Sequence, residues 1–94
     1  GSAATAIDVA PAAVKGLKDS GAVPPLHTLK LTTDGACPVR MDWGDGVVEE
    51  LKNTAAGPGT ITISHQFKKK GKLLVQARGI DGCVGVAGEW VTIN

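Results

Sequence analysis

Tyrosine is absent from this chain, phenylalanine occurs once and tryptophan twice, so aromatics make up 3% of its 94 residues. Surfaces that stack successive nucleic-acid bases need several such rings. Charge of one sign is also lacking. Ten Lys and Arg stand against nine Asp and Glu, a net charge of +1, which removes the overall electrostatic case for nucleic acid, an anionic membrane or an acidic partner. No apolar run approaches the roughly 20 residues that span a bilayer as a helix. Cysteine occurs only at Cys37 and Cys83, 46 positions apart, too far for a CxxC redox or zinc pair. Two lone histidines add no zinc ligand set, and no cofactor is expected.

What is present points to one soluble domain. A chain of this length buries roughly 60–70% of the surface its unfolded form exposes, enough to fold alone with little margin. Its composition, 43% hydrophobic and 20% charged, is that of an ordinary globular protein. Thirteen glycines and five prolines favour many turns and an all-β plan. Gly1-Ser2 reads as a cloning scar, so the lack of a leader carries no information on compartment. Residues 3–94 are then the single domain.

Residues 3–22 are Ala-rich. An edge strand is expected around Ile7-Asp8-Val9, ended or bent by Pro11, then a short piece from Val14 to Leu17. Asp19-Ser20-Gly21 and Pro24-Pro25 carry turn chemistry. Beyond them the period of two is regular. His27, Leu29 and Leu31 share one face, and Asp34-Gly35 ends that strand. Val39, Met41 and Trp43 share another. Gly44-Asp45-Gly46 reads as a tight connection into Val47 to Leu51, and Asn53 to Gly59 as a flexible loop. Ile61 and Ile63 alternate with Thr60, Thr62 and Ser64. Leu73, Val75, Ala77 and Gly79 form the cleanest inward face. In the last strand, Ala87 to Ile93, Val91 and Ile93 compete with Trp90 for the core. About seven short strands in under 100 residues mark an antiparallel β-sandwich.

The run Met41-Asp42-Trp43-Gly44-Asp45-Gly46, then His65-Gln66-Phe67, Gly71 and Asp81-Gly82, resembles the PKD (polycystic kidney disease) domain, an immunoglobulin-like module. The resemblance covers about residues 26–94. It implies that Met41 and Trp43 are core side chains and that Asp42, Trp43, Gly44, Asp45 and Gly46 form the Asp-x-Gly-Asp-Gly element. It aligns His65 and Phe67 with a His-x-Tyr element and Gly71 with a strand-opening glycine. Phe67 replaces the usual Tyr, so no tyrosine-corner hydrogen bond can form, and Gly79 stands where a β-branched core residue is expected.

The cysteines are either a disulfide or two unrelated buried thiols. A bridge would stabilise by about 4 kcal/mol in the chain-entropy model, a large share of the roughly 5–10 kcal/mol of such a domain. The resemblance assigns Cys37 and Cys83 to loops at one end of the sandwich, which favours the bridge and an extracytoplasmic location, secreted, periplasmic or at the cell surface, in a bacterium.

Site candidates are few. Asp42 and Asp45 are oxygen ligands for calcium at most weakly, since they lack EF-hand spacing and Asp45 suits turn hydrogen bonding. Ser64 and His65 are strand neighbours facing opposite ways, so they cannot pair as nucleophile and base. No catalytic residue is assigned, and the chain is read as a non-enzyme. Lys68-Lys69-Lys70-Gly71-Lys72 is read as a solvated turn. Binding is expected at the cysteine end, with Asp34, Arg40, Asp81 and Gly82, at the head of the glycine-rich Gly82 to Gly88 segment, as candidates. The expected function is a non-catalytic interaction or spacer module, monomeric, contacting protein or carbohydrate. The alternatives are a free-standing small secreted or periplasmic protein, such as a surface antigen, and a glycan-binding module with Trp90 as its platform.

Overall fold

A computed structural model describes residues 10–52 and 58–94. Seven strands follow in chain order: β1 (Val14–Val23), β2 (Leu26–Asp34), β3 (Val39–Asp42), β4 (Val48–Leu51), β5 (Pro58–His65), β6 (Gly71–Gly79) and β7 (Val86–Ile93). They form a three-stranded sheet, β1-β2-β5, and a four-stranded sheet, β4-β3-β6-β7. Every strand pair is antiparallel. The chain is an all-β sandwich, as its alternation predicts, with the immunoglobulin-like plan that the resemblance implies. The expected strand at Ile7-Asp8-Val9 lies outside the described residues, as do Asn53 to Gly57 of the expected loop.

The predicted inward faces meet in one core. Leu29, Leu31, Val39, Met41, Trp43, Val75 and Ala77 have no exposed surface. The ambiguity in β7 resolves by parity: Val91 is buried and Trp90 is 55% exposed.

Two expectations change. Asp19-Ser20-Gly21 is not a reversal but part of β1, where the register slips between Asp19 and Gly21. Gly21 sits at φ +100° and its N–H donates to Asp19 Oδ1 at 2.9 Å, so the turn chemistry makes a bulge. The reversal is made by Pro24-Pro25, between the paired Val23 and Leu26. Pro58 and Gly59 leave the expected loop to open β5 opposite Asp34 and Thr33, a position at a strand start that proline tolerates.

Gly79 also finds its reason. A Cβ there would lie 2.7 Å from the carbonyl carbon and oxygen of Cys83 and 2.9 Å from the Val84 nitrogen. The 80–85 turn folds back onto the end of β6, held by Gly79 N–H to Gly85 O at 2.9 Å and Cys83 N–H to Ile80 O at 3.0 Å.

That turn carries Cys83, which bridges to Cys37 with 5.1 Å between Cα atoms. The same end is clipped by β1: Val14 N–H donates to Val84 O at 2.8 Å and Val84 N–H to Ala12 O at 2.9 Å. β1 and β3 begin at this end, and β7 ends at the opposite one.

Replacing Cys37 and Cys83 together by Ala should lower stability by about 4 kcal/mol, read as the shift in urea unfolding against the oxidised protein. Gly79→Val should cost about 1–3 kcal/mol through the backbone clash, contrary to the gain its strand propensity would give. A more stable Gly79→Val variant would mean that the 80–85 turn does not press on β6.

Candidate functional site

Most of the motif residues gather at the end opposite the disulfide, around the Asp45 carboxylate, whereas Asp81 and Gly82 lie at the disulfide end. Asp45 Oδ1 accepts from Val47 N–H at 3.1 Å. Its Oδ2 accepts from the Lys68 N–H at 2.9 Å and from the His65 Nε2–H at 2.8 Å. The Asp45 side chain is fully buried and that of His65 is 11% exposed. Gly44 makes the turn possible, because at φ +78° any Cβ would lie 2.4 Å from Leu74 O.

Aromatic rings pack over this knot. Trp43 stacks on His65 with centroids 4.4 Å apart, and Phe67 meets the edges of both His65 and Trp43. Trp43 Nε1–H donates to Glu49 Oε1 at 2.8 Å, so its only polar atom is satisfied. Phe67 therefore acts by packing where a tyrosine would also offer a hydroxyl. It touches His27 as well, whose Nε2–H donates to Asp19 Oδ1 at 2.7 Å.

Burial pushes the Asp45 carboxyl up, but hydrogen bonds from Lys68, His65 and Val47 outweigh it, so it is held below its ordinary value. Asp19 follows the same logic, with Gly21 and His27 outweighing burial. A carboxyl depressed in the folded state stabilises fully above its unfolded value and loses that contribution as pH falls through the folded one.

This arrangement commits Asp45 to internal bonds. Both Asp45 oxygens are taken by protein donors, and Asp42 Oδ1 accepts from Gly44 N–H at 3.0 Å. Among the described residues no group of three or more His, Cys, Asp or Glu is placed to hold a metal ion. Ser64 is exposed while His65 turns inward, as strand alternation requires.

The binding candidates divide. Asp34, at the disulfide end, is engaged: its Oδ1 accepts from Ala13 N–H and its Oδ2 lies 3.5 Å from Lys15 Nζ. Asp81 and Gly82 form the exposed tip of the 80–85 turn, both at positive φ. Val86 to Gly88 of the glycine-rich segment belong to β7. Arg40 is not in a loop. It lies on the outer face of the four-stranded sheet, where its Nη2 donates to Glu50 Oε2 at 3.0 Å.

Around Arg40 is a shallow cavity of about 170 Å³ lined by Asp42, Val48, Gln76, Arg78 and Val86. Trp90 stands on the same face, opposite Leu74. Sequence reading passed over Gln76 and Arg78, although their alternation with Val75 and Ala77 marks them as outward. The lysine run is exposed, and the Lys72 ammonium lies 5.2 Å from the centre of the Trp90 ring. A wider open hollow of about 370 Å³ lies at the Pro24-Pro25 turn, against Phe67 and Ile93.

No protein-family model and no curated protein matches the sequence. Among solved structures, the PKD domain of an M14-like peptidase from a Thermoplasmatales archaeon is similar, with a TM-score of 0.64. The chain has the PKD-domain fold. The match covers 88% of this chain and 95% of that one at 23% identity. It agrees with the resemblance carried by Asp42 to Gly46, His65, Phe67 and Gly71.

Asp45→Ala should destabilise the domain by about 2–3 kcal/mol at neutral pH, since it strands three donors. It should also flatten the loss of stability that the native chain suffers as pH falls below about 4. Urea unfolding at pH 7 and pH 3 measures both; an unchanged pH dependence would show that Asp45 is not the titrating group.

Proposed function

We infer that this chain is a non-catalytic, extracytoplasmic interaction or spacer module. The observation that carries the reading is directional. The described chain enters the sandwich at the disulfide end and leaves it at the Asp45 end, after β7. A module built so holds whatever it joins apart along its long axis rather than side by side. The disulfide supports the extracytoplasmic part, since such bridges persist in oxidising compartments. That both oxygens of Asp45 are spent on internal bonds supports the non-catalytic part.

Contacts with protein or carbohydrate would be made by the exposed turn carrying Asp81 and Gly82, beside Asp34, or by the outer sheet face with Arg40 and Trp90. The glycan-binding reading gains from one observation, the 55% exposure of Trp90. The spacer role is tested by attaching donor and acceptor fluorophores beyond residues 10 and 94 and measuring single-molecule energy transfer. One narrow distance distribution is expected, unchanged by salt. A broad distribution at neutral pH would overturn the spacer role.

A further inference from the structure

The outer face of the four-stranded sheet differs from an ordinary solvated surface. Of the six large hydrophobic residues exposed among those described, Val48, Val86 and Trp90 all stand there. Along β7 the outward positions are Val86, Gly88, Trp90 and Thr92, so a residue without a side chain separates two exposed apolar ones. A Cβ at Gly88 would lie 3.6 Å from Leu74 Cδ1 and 3.8 Å from Gln76 Cγ. Gly88 thus leaves a gap one side chain wide, a shallow groove between the outward Val86 and Trp90, with Leu74 and Gln76 beside it on β6.

The polar groups around the groove are mostly unspent donors. Arg40 is paired with Glu50 and Asp42 has one oxygen on Gly44. Arg78 and Lys72 have no carboxylate partner among the described residues, although the Lys72 ammonium lies over the Trp90 ring, and the Gln76 side chain makes no hydrogen bond there. Guanidinium, amide and ammonium N–H groups outnumber the acceptors, which are the Gln76 carboxamide oxygen and the oxygens that Gly44 and Arg40 leave on Asp42 and Glu50. A ligand fitting this set is rich in acceptors and carries negative charge, and it has an apolar face for Trp90. The two free cations stand at opposite ends of β6, six residues and so about 20 Å apart, which suits widely spaced anionic groups rather than a continuous phosphate track.

We propose that this face is a carbohydrate-binding site for a uronate-bearing polysaccharide. The C–H face of a pyranose ring stacks on the Trp90 face that Lys72 leaves open, and the Lys72 ammonium, which lies over the ring, swings out to meet its carboxylate. The chain then runs across Gly88, with Gln76 and Arg78 donating to hydroxyl and carboxylate oxygens of neighbouring units. Charge-assisted, paired donation by Arg78 gives the stronger contact, and the carboxylate contacts weaken with salt. The proposal rests on reading the chain as an interaction module and adds the ligand class to it.

The test titrates the intact, oxidised chain with oligogalacturonate by calorimetry and by Trp90 fluorescence; Trp43 is fully buried and stays silent. Saturable binding that weakens with salt is expected. Trp90→Ala and Gly88→Val should each weaken it by about tenfold or more, the latter by filling the groove. Arg78→Gln should weaken it and reduce its salt dependence. All three positions are outward, so thermal unfolding midpoints should not move, which separates loss of the site from loss of the fold. Absence of binding would overturn the proposal, as would equal affinity for a neutral cello-oligosaccharide of the same length. Tighter binding of an oligothymidylate, or variants with native affinity, would overturn it too. A narrow end-to-end distance without oligogalacturonate binding would remove this site while leaving the spacer reading intact.

Discussion

The buried carboxylate of Asp45 is the constraint on which the rest of the structure depends. The two sheets of a sandwich are joined by packing alone unless something polar ties their connections together. Asp45 lies in the β3–β4 turn of one sheet, and His65 and Lys68 lie where the other sheet hands the chain back through the β5–β6 connection. One side chain therefore fixes where the two sheets meet at that end. A carboxylate deprived of water is tolerated only when its oxygens are satisfied, and here three donors do so. The donors, in turn, hold the rings. With His65 anchored, its face stacks Trp43 and its edge meets Phe67, so the polar knot and the aromatic cluster cannot be disrupted separately.

At the opposite end the Cys37–Cys83 bridge does the equivalent work by covalent means. It joins the 34–38 connection to the 80–85 turn, onto which β1 is also clipped. A domain of this size has a small core and little margin. Fastening both ends lets the faces between them vary without loss of register. The division has a functional consequence, since residues fixed in either knot are unavailable for binding. Asp45 and His65 are internal, and Asp34 is occupied by Ala13 and Lys15. Among the described residues, the outer sheet faces, the lysine run and the tip of the 80–85 turn stay exposed.

Much of this was legible in the sequence because it rests on period and motif. The inward sets Leu29 and Leu31, Val39 to Trp43, and Leu73 to Ala77 follow from strand alternation. The Gly-Asp-Gly turn follows from glycine's access to positive φ. The illegible parts share a physical cause, namely that they are set by distant backbone. Asp19-Ser20-Gly21 reads locally as a reversal, and only the pairing of β1 with β2 beyond it makes a bulge. Gly79 reads as a weak core position, and only the returning 80–85 turn explains why no Cβ fits. Trp90 could not be assigned a face because Val91 and Ile93 argue by parity and Trp90 by hydrophobicity. Burial settled that conflict for the two aliphatics and left the largest side chain of β7 in solvent.

That outcome separates the two faces of the molecule. The outer face of the three-stranded sheet is polar along most of its length: Lys18, Lys30, Thr60, Thr62 and Ser64 are exposed, Thr32 and Thr60 hydroxyls bond across the strands at 2.9 Å, and the exposed apolar pair Val23 and Leu26 is confined to the end beside the Pro24-Pro25 turn. Hydration suffices to account for such a surface. The outer face of the four-stranded sheet carries Trp90, Val86 and Val48 in solvent, around a glycine and beside cations without carboxylate partners. Single exposed apolar residues are common on proteins, but these three share one sheet face, and an apolar face rimmed by charged groups marks contact surfaces. Both sheets had equal opportunity to be polar outside, since the core asks only for alternation. Alternation alone leaves that difference unexplained, and contact through the four-stranded sheet, as proposed above, would account for it.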